Sequence, residues 1–484
     1  MLQHNFLCIE SMSNRGFAYI ICFFLVLGSV RGQSNASYVK VQSIHISGNY
    51  HTKPWIIQYE IPFKEGDALS IDEIPELTRK TRENLINMRL FSKVSIQNER
   101  EGQYIRFQIE VRELWYLYPG LIFELADRNI NTWWQEQNHS LSRVNYGIQL
   151  QYDNASGRND YLKLVAHTGY TNKIQLTYEM PRLYKFHHWG YGIDIFQRTQ
   201  KEIGYRTYLN KTLFYRSDKV LLKRQRFESF ITYRPDQNRQ LRLKAGWQGN
   251  YINPFVVRRL NANYFIPNQT QQRFFMIEIY AKMSFLDREV YPTKGFSLAS
   301  FLRKEGLGIY RDLNVNYLNI LWKVYASSTD GKWSVGNVSR VQKLVYSSNK
   351  MSEPLPFYNR SFIGYSDDQL RGYELYVMDG PQYFYTKNHI KFRLLHTQLS
   401  LYQRGESIFQ AFRSIPMELY LIFQVDAGII QGYNQDNNML NDRWIIGGGP
   451  GLHLVTFNRF VYKLEWSVNH LGEGGLFFHI NRKY

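Results

Sequence analysis

"FVYKLEWSV", residues 460–468, is the stretch whose reading decides the fold. Phe460, Tyr462, Leu464, Trp466 and Val468 fall on one parity, with Lys463, Glu465 and Ser467 on the other. Alternation at period two is the mark of a strand with one apolar and one polar face. The same pattern recurs upstream. "RQLRLKAGW" sets Leu241, Leu243, Ala245 and Trp247 against Arg242 and Lys244, and "NKIQLTYE" repeats it with Ile174, Leu176 and Tyr178. From Trp115 to the end no segment has a convincing helical period, and turn residues separate alternating stretches. At about 23 residues per strand and connection, the roughly 370 residues involved predict about 16 strands, an even number as in single-chain outer-membrane barrels.

Composition points the same way. Aromatic residues make up 16% of the 484-residue chain, yet mean hydropathy is −0.43. A helical membrane protein needs several apolar runs of about 20 residues, and none follows residue 28. A transmembrane β-barrel reconciles the two totals, because only alternate residues face lipid while the lumen stays polar. The formal charge of +18 would suit nucleic acid. The cations, however, are scattered along the alternating segments, which fits a basic lumen or attraction to anionic lipid head groups better.

The one long apolar run, "GFAYIICFFLVLG" at residues 16–28, follows Arg15 and precedes small residues. It reads as a secretory signal peptide over residues 1–32. Both cysteines, Cys8 and Cys22, lie within it, so the exported chain is expected to have no disulfide and no cysteine metal site.

Residues 38–113 have a different character. "YVKVQSIHISGN" alternates as a strand, and in "HTKPWIIQYEI" Thr52 suits a helix cap with Pro54 in the first turn. Ser70 and Glu73 form a capping-box pattern, continued by Ile74, Leu77, Thr81 and Leu85 at helical spacing. Pro75 argues for a later start to that helix. "KVSIQNE" and "QYIRFQIEVRE" are two further strands. The predicted order is strand, helix, helix, strand, strand.

A leader, such a module and a C-terminal barrel together resemble the outer-membrane assembly and translocation superfamily of the BamA/TamA kind. "VQSIHISGNYHT", "KEGDALS" and "NLINMRLFSKVSI" are similar to the turns and apolar run of a POTRA domain, and "REVYPTKGFSL" (288–298) to the Pro-Thr-(Arg/Lys)-Gly strand start of the family barrel. The resemblance implies a mainly β chain in which a small α+β POTRA domain (38–113) precedes an antiparallel barrel (115–484) of about 16 strands.

The resemblance also implies a long extracellular loop with an Arg-Gly-(Phe/Tyr) tip folded into the lumen. Arg371, Gly372 and Tyr373 match it, in a stretch from about 347 to 385 without strand character. Five strand candidates follow, near 386–400, 416–429, 444–456, 459–469 and 474–482. The candidates before the loop number one more than the family has, so one of them is expected not to be a barrel strand. A guanidinium makes paired hydrogen bonds to carboxylates, and parity finds the partner. Leu421, Phe423, Val425 and Ala427 form the apolar set of "ELYLIFQVDAGII", so Gln424 and Asp426 point inward. "FQVDAG" also resembles the family's Asp-x-Gly strand that receives the arginine. The expected pair is Arg371–Asp426, with Glu465 in reserve and alanine at either member releasing the loop equally.

A second expectation concerns the seam. The first barrel strand carries Pro119 and Gly120 and the last carries Gly474 and Gly475, residues that weaken a ladder. In the resembling family the seam opens toward lipid. The terminal Tyr484 reads as an aromatic sorting end.

No hydrolase, phosphate-loop or metalloprotease motif is present in the sequence. His187 and His188, adjacent and therefore on opposite strand faces, do not read as a metal site. The expectation is a non-enzyme without cofactor, in the bacterial outer membrane with its POTRA domain in the periplasm. Its expected partners are outer-membrane lipid, unfolded or exported polypeptides, and periplasmic or lipoprotein accessory subunits. Its expected work is insertion or translocation of polypeptides, the alternatives being a dedicated secretion pore or a passive pore and anchor.

Overall fold

The structure, a computed structural model, describes residues 37–126, 130–183, 186, 188–236, 238–310, 312–345, 355–365, 368–399, 415–432, 437–456 and 460–482. The expected signal peptide, residues 1–32, and Tyr484 lie outside them. The chain forms two compact units. Of the described residues, one comprises 37–47 with Ile61–Asn84 and Ser95–Glu110; the other comprises Gly48–Glu60, Leu85–Val94 and those from Val111 onward.

Residues 38–113 contain β1 (Tyr38–Ser47), α1 (Pro54–Glu60), β2 (Ala68–Ser70), α2 (Ile74–Asn87), β3 (Phe91–Glu101) and β4 (Tyr104–Glu113). The strands form one sheet in the order β2-β1-β4-β3, with β1 and β4 parallel. Alternation on β1 and β4 buries Val39, Val41, Ile105, Phe107 and Ile109, each at most 1% exposed. The Phe63 ring packs 4.5 Å from that of Phe107. Two capping expectations fail. Ser70 ends β2 and leads into a single 3-10 turn without a side-chain cap bond. The helix starts at Ile74, where Pro75 sits in the first turn and its missing N–H breaks no intrahelical bond. Thr52 lies two residues ahead of α1, and its hydroxyl is 3.1 Å from that of Tyr116.

The larger unit is built on one antiparallel sheet of sixteen strands. Its first five are β5 (Leu117–Leu125), β6 (Val144–Asp153), β7 (Tyr161–Gly169), β8 (Thr171–Met180) and β9 (Trp189–Gln200). A separate hairpin follows, β10 (Glu202–Tyr208) with β11 (Lys211–Arg216). The sheet resumes with β12 (Leu222–Tyr233), β13 (Arg239–Ile252), β14 (Gln271–Ser284), β15 (Gly295–Glu305), β16 (Val315–Ser327) and β17 (Trp333–Val345). The long loop carries its own two-stranded ladder, β18 (Ser361–Ile363) with β19 (Met378–Gly380). The last five strands are β20 (Gln382–Leu399), β21 (Ile415–Gln431), β22 (Ile445–Thr456), β23 (Phe460–Asn469) and β24 (Gly474–Arg482).

Eleven strands of the sheet therefore precede the loop and five follow, each of the five close to its expected bounds. The strand-like β10–β11 segment belongs to a sheet of its own. Two short helices, α3 (Ile130–Gln135) and α4 (Pro254–Arg259), and the β18–β19 ladder correct the expectation of strands and plain loops alone. Six residues are under two turns, too few for a helical period to show.

Parity on β21 and β23 is as read from the sequence. Phe423 is 56% and Trp466 50% exposed on the outer face, while Gln424, Asp426, Glu465 and Ser467 on the inner face are at most 2% exposed. An apolar outer belt is what lipid contact requires. Inner polar groups so thoroughly buried mean that protein, not open water, covers this part of the wall.

Candidate functional site

The cover over β21–β23 is the tip of the loop between β17 and β20. Arg371 Nη1 donates to Asp426 Oδ2 at 3.1 Å, and the Arg371 backbone N–H donates to the same oxygen at 3.1 Å. Its Nη2 donates to Glu465 Oε1 at 3.4 Å. One planar guanidinium thus bridges carboxylates on two strands, a reach that lysine's single ammonium lacks. Gly372 turns the chain at φ +81°, in the region open to glycine. Its N–H donates to Ser467 Oγ at 3.0 Å, and its carbonyl accepts from Asn469 Nδ2 at 2.9 Å. The Tyr373 hydroxyl donates to the Ile446 carbonyl at 3.1 Å and also meets His470. The Tyr373 ring is fully buried among Leu370, Tyr385, Ile430 and Ile445.

Further contacts hold the same loop. Asp368 meets Arg340 of β17 and accepts from Tyr383 and Tyr385 of β20 at 2.9 Å each. Arg360 and Asp379 pair at 2.8 Å. At the tip of the β10–β11 hairpin, the Asn210 carbonyl accepts from the Val377 N–H at 2.8 Å, and its side-chain oxygen accepts from the Leu440 N–H at 3.0 Å. Beside the lock, burial pushes the Glu374 carboxyl of the loop up to about 8, so it is largely neutral at pH 7. A neutral carboxyl there adds no third negative charge to Asp426 and Glu465.

Gly447 was not singled out in the sequence. An added Cβ there would lie 2.2 Å from the Arg371 carbonyl oxygen, so the loop lies directly on the β22 backbone. The signal was legible as "GGGPG", residues 447–451, inside the strand candidate 444–456.

The four seam residues are not one site. β5 and β24 are the end strands of the sheet order and run in opposite directions. Pro119 and Gly120 near the start of β5 therefore lie toward the mouth opposite Gly474 and Gly475 at the start of β24. Pro119 is inside its strand, opposite Leu150. Sequence reading missed a contact at this edge. Asn131 of α3 presents its side-chain oxygen to the Phe478 N–H at 3.1 Å and donates from Nδ2 to the Phe478 carbonyl at 3.3 Å. It occupies on β24 the two groups that a neighbouring strand would use. Asn131→Ala should cost about 1 kcal/mol, as for a modest net hydrogen bond, and speed amide exchange at Phe478. Unchanged exchange there would show that Asn131 holds nothing.

His188 interacts with the Tyr59 hydroxyl and the Arg234 carbonyl, and His187 lies outside the described residues. Among the described residues no group of three or more His, Asp or Glu is placed to hold a metal ion.

Residues 39–113 match the family model for POTRA, the surface antigen variable number repeat. BamA from Haemophilus ducreyi lacking POTRA domains 1–3 aligns at TM-score 0.57 and 13% identity, over 91% of this chain and 84% of that one. CdiB from Acinetobacter baumannii aligns at 0.53 and 12%, over 93% and 74%. The fold is a BamA-like barrel with a POTRA domain. CdiB from Escherichia coli aligns at 0.53 and 10%, over 92% and 76%. A search of curated proteins gives no significant match. Within this barrel, Arg371, Asp426 and Glu465 converge on the inner wall.

Proposed function

We propose that the chain is an outer-membrane protein that assists insertion or translocation of other polypeptides. The observation that carries the reading is the covered inner wall. A polar face buried under a loop held by discrete ion pairs and hydrogen bonds is a conduit closed at rest, and those contacts are reversible. The POTRA sheet supplies a place for capture. β3 ends the strand order and is largely exposed beyond Ile96. An extended client can add to such an edge through backbone groups, with little demand on its sequence. In this reading residues 1–32 direct export, the POTRA domain lies in the periplasm, and lipoprotein or periplasmic subunits assist it.

Depletion of the protein followed by outer-membrane proteomics tests this. Joint loss of many unrelated barrel proteins is expected for an assembly factor. Loss of a single exported protein would favour the second reading, a dedicated secretion pore, which the likeness to CdiB in fold also suits. An unchanged proteome and secretome would overturn both.

A further inference from the structure

Residues 285–294 join β14 to β15 at the mouth opposite the long loop. In the strand order, β16 and β17 separate β15 from β20, and β21 and β22 lie further still. Yet the turn reaches all three. Arg288 donates to Glu418 of β21 at 2.6 Å and to the Tyr420 hydroxyl at 3.2 Å. Lys391 of β20 donates to the Pro292 carbonyl at 2.9 Å. Tyr291 is 6% exposed and packs with Tyr420, Val455 and Val461. A turn that touches strands so far along the sheet crosses the inside of the barrel.

Tyr291 also starts a buried chain. Its hydroxyl is 2.9 Å from His453 Nδ1, and His453 Nε2 is 2.8 Å from Glu465 Oε1, the oxygen that Arg371 Nη2 reaches at 3.4 Å. Glu465 accepts from Arg371 as a carboxylate, so His453 donates to it from Nε2–H. In the neutral imidazole Nδ1 is then the acceptor for the Tyr291 O–H. Every group has one fixed direction, and His453 is 2% exposed.

We infer that the 285–294 turn is a second plug and that His453 ties it to the Arg371 loop, so that each plug leaves more readily once the other has left. The inference stands whether the chain inserts or secretes polypeptide. Linkage makes the coupling reciprocal: the factor by which the turn steadies the loop is the factor by which the loop steadies the turn.

The test uses full-length protein in proteoliposomes, with Cys8→Ser and Cys22→Ser, and one reporter cysteine at a time. Val377→Cys reports the loop and Val290→Cys reports the turn, each read by its labelling rate with a hydrophilic maleimide. Tyr291→Phe, which removes only a hydroxyl, is expected to speed labelling at 377 by about 5-fold or more, the lower end of measured couplings. Arg371→Ala is expected to speed labelling at 290 by a similar factor. His453→Gln retains a donor and an acceptor and should keep both sites slow, whereas His453→Leu should speed both. Acceleration confined to the segment that carries the substitution would overturn the coupling. If His453→Leu fails to fold, judged by heat-modifiable gel mobility, the Tyr291 and Arg371 variants still decide.

Discussion

Arg371→Ala is expected to free the loop tip from the inner wall, at a cost of about 3–5 kcal/mol, the range for removing one partner of a buried ion pair. The cost is high because the arginine serves two carboxylates. Asp426 and Glu465 are 1% and 0% exposed, and without the guanidinium two negative charges stay buried on neighbouring inner positions. Asp426→Ala should act in the same direction but less, by about 1.5–3 kcal/mol as for a hydrogen bond to a charged group, because Glu465 still neutralises Arg371. An arginine shared by two carboxylates thus replaces the equal effects expected from a simple pair. Arg371→Lys should fall between wild type and alanine, since one ammonium cannot span both acceptors in plane. Amide exchange across residues 368–376 reads the release, and heat-modifiable gel mobility confirms that the barrel is intact. Slow exchange in Arg371→Ala would mean that the lock does not hold the loop.

Gly447→Ala is expected to displace the same loop by sterics alone, at roughly 3 kcal/mol, the upper end for overpacking. The new methyl would sit 2.2 Å from the Arg371 carbonyl oxygen and 3.1 Å from that of Val468. Both are backbone atoms, and every charge in the site remains. Gly474→Ala is the control, since its Cβ would meet nothing nearer than the Ser467 carbonyl oxygen at 3.6 Å, an ordinary van der Waals contact. The loop can be lost only once, so Gly447→Ala combined with Arg371→Ala should add little to Arg371→Ala. Full additivity would place the two residues in separate sites.

The outward-facing residues were the most legible part of this chain. Strand parity identified Leu421, Phe423, Leu464 and Trp466 because lipid demands one apolar face and β geometry enforces period two. The same parity put Asp426 and Glu465 inside, and the Arg-Gly-Tyr resemblance supplied the arginine that lies between them. What parity does not show is what covers the inner face. His453, Ser467 and Asn469 sit at inward positions, but their loop and turn partners come from 95 to 162 residues away, and no local pattern encodes that. The β10–β11 hairpin alternates like a barrel strand, and only long-range pairing separates it from the sheet. Ser70–Glu73 has the composition of a capping box, yet β2 takes Ser70 into its ladder with β1. Pro119, Gly120, Gly474 and Gly475 are legible as ladder-weakening residues of the first and last strands, but Asn131, which bonds the Phe478 backbone at that edge, comes from 347 residues away and leaves no local pattern.

Photo-crosslinking from adjacent positions on β21 tests the central claim, that polypeptide passes along the wall the loop covers. A photoreactive residue at Gln424 faces inward, and one at Phe423 faces outward as the control. In growing cells the inward probe should give an adduct within the chain and a second adduct with another polypeptide, the second increasing in Arg371→Ala. Adducts with other polypeptides from position 423 alone, whatever the state of the loop, would contradict the account.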